Sequence, residues 1–142
     1  DFLLDLSSVD EYDADPRFKV VYELYSLGHR AHLRLTTRVS EDRGELPTVS
    51  GVWRTADWHE REVFDMMGLR FRGHPDLRRI LMWDGYPYFP LRKDFPLAGK
   101  ASDVPGVAFT QAAPMVGGPF VTVAGGKNTI EREPRSGRPN PG

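Results

Sequence analysis

Acidic, basic and apolar side chains are interleaved between Trp58 and Met82, and this stretch holds the residues best suited to chemistry. Carboxylates and histidines are the side chains that serve acid–base catalysis or bind metal ions. On a helical wheel over residues 53–67, Glu60 falls in the middle of an apolar face. That face carries Trp53, Ala56, Val63, Phe64 and Met67. A carboxylate there must be paired, hydrogen-bonded or protonated, because an unpartnered buried charge costs several kcal/mol, and of these we expect a structural ion pair.

Two catalytic interpretations of this stretch find little support in the spacing. His59-Glu60 lacks the second histidine, four residues later, that a helical zinc-protease motif requires. Glu62 and Asp65 lie three residues apart on the predicted polar face, where such charged groups are usually solvated. We therefore predict neither a metal ligand nor a catalytic residue in this chain.

The composition limits the class of protein. The chain has 142 residues, enough for one domain with a core, and its net charge of -1 gives no general reason to expect nucleic acid as a partner. It has no cysteine, which excludes disulfides, thiolate catalysis and cysteine-ligated iron–sulfur clusters in this sequence. No run approaches the roughly 18 apolar residues that span a bilayer, so we expect any membrane association to be indirect.

A basic and aromatic run follows the predicted helix and leaves two interpretations open. Its members are Arg70, Phe71, Arg72, Arg78, Arg79, Trp83, Tyr86, Tyr88, Arg92, Lys93 and Phe95. Such a run can follow nucleic acid by charge and stacking, but Asp76, Asp84 and Asp94 interrupt the positive charge. Arginine and aromatic residues are also enriched in protein interfaces. The residues alone favour an interaction module of a larger assembly, with a nucleic-acid-binding module as the alternative.

The elements that must position these residues begin with strands. Residues 2–7 predict a short strand, and residues 17–27 and 30–39 each alternate apolar and polar side chains. Because Gly28-His29 separates the two alternating runs by a short turn, we expect an antiparallel hairpin.

A helix is predicted over residues 53–67, after a loop over residues 41–47. Thr48 or Ser50 is placed to cap the start of this helix, because a hydroxyl can accept a hydrogen bond from a free N–H group there. Gly68 is well placed to end the helix, because glycine readily adopts the left-handed conformation of a helix C-terminus.

The remaining segments are expected to be less regular. Further short strands are predicted over residues 69–71 and 79–82, and an ordered but irregular segment over residues 84–96. Residues 98–142 hold 8 of the 14 Gly and 6 of the 12 Pro, and such a segment cannot bury enough apolar surface to fold alone. We predict a domain over residues 1–97 and an extended tail that packs on neighbouring chains.

Several ordered motifs resemble one known family. They are Glu60-Arg61-Glu62, Asp65, His74-Pro75-Asp76-Leu77-Arg78-Arg79-Ile80-Leu81 and Pro90-Leu91-Arg92-Lys93-Asp94-Phe95-Pro96-Leu97. Two earlier segments, residues 2–10 and 17–27, match as well. The sequence over residues 2–97 thus resembles the thirty-kilodalton subunit of respiratory complex I, known in bacteria as the C subunit of NADH-quinone oxidoreductase. The first part of the domain of that family is expected to be missing here.

The resemblance implies an α+β fold, a two-layer domain in which a small sheet containing an antiparallel hairpin packs on a helix. It also implies a cofactor-free, non-catalytic subunit in the hydrophilic arm, beside the forty-nine-kilodalton subunit of the quinone site and iron–sulfur subunits. NADH, FMN, iron–sulfur clusters and quinone would be bound by those partners. The complex would place this chain at the cytoplasmic face of the bacterial inner membrane, or on the matrix side in mitochondria. Equivalent subunits of membrane-bound hydrogenases and ferredoxin-dependent complexes fit the same resemblance.

Structural roles for the charged motif residues follow from this resemblance. We expect Glu60 to pair with Arg78 or Arg79 and thereby to lock the helix to the turn at residues 74–81. The other candidates for structural ion pairs or for contacts with partner subunits are Arg61, Glu62, Asp65, His74, Asp76, Arg92, Lys93 and Asp94.

Overall fold

In the computed structural model, the alternating segments form three strands, β1 (Phe2–Asp10), β2 (Phe18–Ser26) and β3 (Ala31–Val39). The strands are antiparallel and lie side by side in the order β1-β2-β3. The predicted hairpin of β2 and β3 is confirmed. The strand β1 extends beyond the predicted residues 2–7, because its last residues continue to pair with β2.

One face of this sheet forms the core of the domain. The register aligns Leu6 of β1 with Tyr22 of β2 and Tyr22 with Leu35 of β3, so these side chains share one face. Phe18 and Val20 lie on the same face and are completely buried. Burial decreases along β2, and Tyr22 is only half-buried.

The helix α1 (Ala56–Met67) begins later than predicted and ends where predicted. Thr55, the N-cap residue directly before the helix, makes no side-chain capping bond. The prediction that Thr48 or Ser50 caps the helix is wrong, because these two hydroxyls bond to each other in the preceding loop. Gly68 ends the helix with φ of 78°, and its N–H donates to a carbonyl of the last turn at 2.9 Å.

The helix packs on β1 and closes the core. Val63, Met66 and Met67 of the helix belong to the same buried cluster as Leu3 and Leu6 of β1. One layer is therefore a sheet and the other a helix, which confirms the predicted two-layer α+β fold.

Two short strands lie beside this arrangement. β4 (Glu45–Pro47) and β5 (Arg70–Arg72) pair in parallel. The prediction that residues 41–47 form a loop is wrong at its end, because Glu45–Pro47 form β4. A strand of three residues is too short to show an alternation of apolar and polar side chains in the sequence. The strand predicted over residues 69–71 is confirmed as β5, whereas residues 79–82 form no strand.

The structure describes residues 1–96 and Lys100, and Asp1–Phe95 form one unit. Residues 84–96 are irregular, as predicted. The predicted tail over residues 98–142 lies outside the described residues, apart from Lys100. Within the described part of the chain, no helix has both the length and the hydrophobicity needed to cross a membrane.

Candidate functional site

Five charged side chains are buried in the described unit, and the three carboxylates among them each form the centre of a cluster. The five are Asp10, Arg17, Glu60, Arg61 and Asp65. A buried charge is tolerated only when it is paired or hydrogen-bonded, so their partners report which segments the fold holds together. Most of these partners lie far away in sequence.

The Asp65 cluster consists of Asp65, Arg79 and the backbone of residues 80–82. Oδ1 of Asp65 accepts a hydrogen bond from Nη1 of Arg79 at 2.6 Å. Its Oδ2 accepts hydrogen bonds from the successive N–H groups of Ile80, Leu81 and Met82 at 3.0, 2.7 and 2.8 Å. Burial raises the pKa of Asp65, but these bonds to the charged form outweigh burial and lower the pKa below its ordinary value. These N–H groups are thus satisfied without a strand.

Arg79 extends the Asp65 cluster to the aromatic segment. Its Nη2 donates to the carbonyl oxygens of Tyr86 and Tyr88, the latter at 3.2 Å. Its guanidinium carbon lies 5.6 Å from the ring centre of Tyr86 and 5.3 Å from that of Phe89. The planar guanidinium has five donors and can stack on rings, so one side chain makes all these contacts. Arg79 therefore fixes the irregular segment to the helix.

Arg61 and Glu62 occupy opposite environments on the helix. Arg61 is buried and donates to the carbonyl oxygens of Arg78 and Arg79 at 3.2 and 3.1 Å. Glu62 is exposed. The prediction that Glu62 and Asp65 share a solvated face is wrong, because the irregular segment covers the side of the helix that carries Asp65.

The Glu60 cluster consists of Glu60, Thr48, Val49, Asp57 and His74. Glu60 is completely buried, as the helical wheel predicted. Its Oε2 accepts a hydrogen bond from the hydroxyl of Thr48, and its Oε1 accepts one from the N–H of Val49 at 2.7 Å. Burial, with the charge of Glu60 as a second cause, raises the pKa of the nearby Tyr22 to about 12.

The prediction that Glu60 pairs with Arg78 or Arg79 is wrong. Arg79 is held by Asp65 at the other end of the helix, and Arg78 forms an exposed ion pair with Asp76 at 2.8 Å. The loop that leads into the helix instead brings neutral donors to Glu60. Hydrogen bonds of this kind stabilise a buried carboxylate without a cationic partner.

The imidazole of His74 is completely buried and joins the 74–76 turn to the first turn of the helix. Its Nδ1 accepts the N–H of Asp76 at 3.0 Å. This bond assigns the proton of the neutral ring to Nε2. Nε2 then donates to Asp57, whose carbonyl oxygen and Oδ1 lie at 3.1 and 3.2 Å. Oε2 of Glu60 is 3.9 Å from the same nitrogen.

The Asp10 cluster lies at the end of the sheet and consists of Asp10, Arg17, Glu41, Arg92, Asp94 and the backbone of Lys93. Arg17 binds both oxygens of Asp10 at 2.9 and 2.7 Å and both oxygens of Glu41 at 2.9 and 3.0 Å. It also reaches Oδ1 of Asp94 at 3.1 Å. The hydrogen bond between Arg17 and Asp10 lowers the pKa of Asp10 and raises the pKa of Arg17.

Residues 92–94 close over this end of the sheet. The N–H of Lys93 donates to Oδ2 of Asp10 at 2.8 Å, while the residue itself is exposed. Nε of Arg92 donates to the carbonyl oxygen of Met67 at 2.8 Å, and its guanidinium carbon lies 5.1 Å from the ring centre of Phe18. The basic residues of this segment therefore bind the domain's own helix end and sheet.

Sequence reasoning missed three members of the Asp10 cluster. A signal for two of them was present, because β1 ends at Asp10 and Arg17 directly precedes β2. Adjacent antiparallel strands place these two residues at the same end of the sheet. Glu41, in the loop after β3, carries no comparable signal. Within the described residues, no group of three or more His, Cys, Asp or Glu is placed to hold a metal ion.

The family comparison covers nearly all of the described residues. The family model of the respiratory-chain NADH dehydrogenase, 30 Kd subunit, matches residues 1–101. The NADH-quinone oxidoreductase C 2 subunit of Rhizobium meliloti (strain 1021) is 59% identical over 99 residues, which are 70% of this chain and 54% of that protein. The NADH-quinone oxidoreductase C subunit of Geotalea uraniireducens (strain Rf4) is 50% identical over 97 residues, 68% of this chain and 59% of that protein. The chain thus spans about half the length of the curated relatives it matches.

Two solved structures share the fold. The trypsin-resistant fragment (1-134) of Nqo5 is 40% identical, with a TM-score of 0.51 over 54% of this chain and 64% of that chain. A chain of the membrane-bound sulfane sulfur reductase, an archaeal respiratory membrane complex, is 27% identical, with a TM-score of 0.60 over 68% of this chain and 58% of that chain. The predicted resemblance is therefore confirmed. This chain belongs to the family of the thirty-kilodalton subunit of the respiratory-chain NADH dehydrogenase.

Proposed function

We propose that this chain is a structural, non-catalytic subunit of a membrane-associated NADH:quinone oxidoreductase and holds no cofactor of its own. Family membership and the names of the relatives support the assembly. The observation that carries the structural role is that all five buried charged side chains of the described unit bind other parts of that unit. Groups engaged in this way rigidify a fold and are not free for proton transfer.

The proposed role is to hold neighbouring subunits in a fixed arrangement. The partners are the forty-nine-kilodalton-type subunit and nearby iron–sulfur subunits in the hydrophilic arm. Electron transfer depends steeply on the distance between cofactors, so a rigid neighbour that fixes this distance contributes to the rate. These 142 residues include no cysteine, so they supply no thiolate ligand to an iron–sulfur cluster. The complex would place it at the cytoplasmic face of the bacterial inner membrane, or on the matrix side in mitochondria.

A second candidate is the equivalent subunit of a related membrane complex with another electron donor or acceptor. The likeness to a chain of the archaeal sulfane sulfur reductase favours it, because that structure shares the fold at 27% identity. The nucleic-acid alternative receives no such support. Two residues of the basic and aromatic run, Arg79 and Arg92, are directed into the domain's own carbonyl and carboxylate groups.

The experiment is affinity purification of the tagged full-length protein from native membranes, with identification of the subunits that co-purify. We expect a forty-nine-kilodalton-type subunit, iron–sulfur subunits and NADH:quinone reductase activity. Hydrogenase or ferredoxin-oxidising subunits would instead support the second candidate. Recovery of the chain alone, or with nucleic acid, would refute both.

The cofactor-free part of the proposal is tested on the purified chain. We expect no visible absorbance from flavin or an iron–sulfur cluster and no NADH oxidation without partners. A stoichiometric chromophore, or turnover by the chain alone, would overturn it.

A further inference from the structure

The strand β3 has one edge without a partner among the described strands, since the sheet ends there in the order β1-β2-β3. Eight of its nine residues are exposed. The edge of a sheet presents a row of N–H and C=O groups to which a further strand can bind.

Three common protections of a sheet edge are missing from β3, namely a short strand, a proline and a bulge. It has nine residues, contains no proline and pairs with β2 in an uninterrupted register without a bulge. Natural proteins commonly shorten, kink or cover such an edge to prevent pairing with other chains. An edge this long and regular is therefore a candidate for a specific partner.

On the inner side of the sheet, the edge borders an apolar groove of about 330 Å³. Among the described elements, the helix packs on β1 and does not cover the part of the inner face near β3. Leu33 and Leu35 are 54% and 47% exposed there. Leu35, Leu46, Val49 and Trp53 are among the groove's lining residues.

On the outer side of the sheet, β3 is basic. The strand has two arginines and no acidic residue, and its Arg34 and Arg38 side chains are 70% and 45% exposed. Arg34 pairs with Glu23 and Arg38 pairs with Glu11. Each guanidinium has five N–H donors, so further carboxylates can bind on the solvent side.

We propose that the β3 edge docks an extended segment of a partner chain as a fourth strand. Alternate side chains of an added strand point to opposite faces. The segment should therefore carry apolar residues toward Leu33 and toward the groove at Leu35, and Asp or Glu toward Arg34 and Arg38. The inference deepens the proposed function, because it gives the chemistry of a segment in one partner subunit.

The probe is a fluorescent nine-residue peptide in which Glu alternates with Val and Leu, titrated into the full chain. We expect saturable binding that weakens with added salt, together with slower amide exchange in β3. Leu35→Asn and Arg34→Glu should each weaken binding about tenfold or more. The matched control Leu27→Asn, at an exposed residue in the turn after β2, should leave binding unchanged.

Two peptide controls test the mode of binding. A peptide with Lys in place of Glu should not bind, and a peptide methylated on its edge-facing amides should bind at least about tenfold more weakly. Equal binding of the methylated peptide, or unchanged exchange in β3, would overturn the proposal.

Protection of the outward-facing β3 amides, which are not bonded to β2, would also overturn it if it occurred without peptide. Protection that grows with protein concentration would indicate a second copy at the edge, and protection independent of concentration would indicate the chain itself. This test needs no partner subunit. It can therefore fail while co-purification succeeds, or succeed while co-purification fails, which separates it from the proposed function.

Discussion

We expect Asp65→Asn to destabilise this domain severely although it barely changes the shape of the side chain. In the native structure, Oδ1 accepts a bond from Arg79 and Oδ2 accepts three backbone N–H groups. Asparagine has one acceptor oxygen, so its NH₂ group must face one of these two sets of donors. In either orientation the NH₂ group, which is a donor, faces other buried donors in place of an acceptor.

The cost follows from the cheaper of the two orientations. Facing the NH₂ toward the backbone leaves three buried donors unsatisfied, at about 1–3 kcal/mol each. Facing it toward Nη1 of Arg79, 2.6 Å from Oδ1 in the native pair, breaks a buried ion pair at about 3–5 kcal/mol. We therefore expect the free energy of unfolding to fall by about 3–5 kcal/mol, a large part of the usual total of about 5–15 kcal/mol.

Urea unfolding of the full chain, followed by far-ultraviolet circular dichroism, measures this loss. With a slope of about 2 kcal/mol per molar urea, the midpoint should fall by roughly 2 M. Glu62→Gln is the matched control, because it removes the same charge from an exposed position on the same helix. It should change the free energy of unfolding by no more than about 0.5 kcal/mol.

The same contacts predict how stability depends on pH. Because the pKa of Asp65 is lowered in the folded state, its contribution is present above the unfolded pKa of about 3.9 and is lost as the pH falls through the folded value. The wild-type protein should thus lose stability below about pH 4, and Asp65→Asn should show a weaker dependence there. Asp10, whose pKa is lowered too, should keep part of the dependence in the variant. A variant that unfolds within about 1 kcal/mol of the wild type, with an unchanged pH profile, would refute this reasoning.

Three further substitutions test the other contacts by urea unfolding. Glu60→Gln should cost only about 1 kcal/mol, because the amide keeps one acceptor and can donate to the neighbouring hydroxyl; a loss above about 3 kcal/mol would contradict this. Gly68→Ala should cost about 2 kcal/mol or more, because φ is 78° and an added Cβ would lie 2.7 Å from an aromatic ring. The control Gly28→Ala should be nearly neutral, because an added Cβ there has nothing within 4 Å. Equal losses of stability in the two variants would contradict this prediction. Arg17→Lys should cost about 2 kcal/mol, because an ammonium cannot replace a fork that binds two carboxylates. The exposed control Arg38→Lys should stay within about 0.5 kcal/mol, and similar losses in both would show that the fork is not needed.

Local patterns were sufficient for the main elements of the fold. Alternation over residues 17–27 and 30–39 predicted the hairpin of β2 and β3, and the helical wheel placed Glu60 on the buried face. Gly68 marked the end of the helix. Each of these features depends on residues within one element or its end, where the period of the backbone decides which side chains share a face.

The family was also recognisable from the sequence, because its charged motifs are long and occur in a fixed order. The structural roles of the charged residues in these motifs could not be predicted from the sequence. The sequence suggested an arginine for Glu60 because opposite charges attract, yet the structure supplies a hydroxyl and an N–H group from the preceding loop. The strand β4 was also missed, because three residues are too few to show a period.

Only the tertiary structure decided which segments meet at the buried charges. The N–H that binds Asp10 belongs to Lys93, 83 residues away, and Arg79 reaches Asp65 from 14 residues away. Sequence periodicity shows that a side chain is buried but does not identify the distant segment that covers it. That choice depends on the simultaneous packing of sheet, helix and irregular segment, in which every buried donor and acceptor must find a partner.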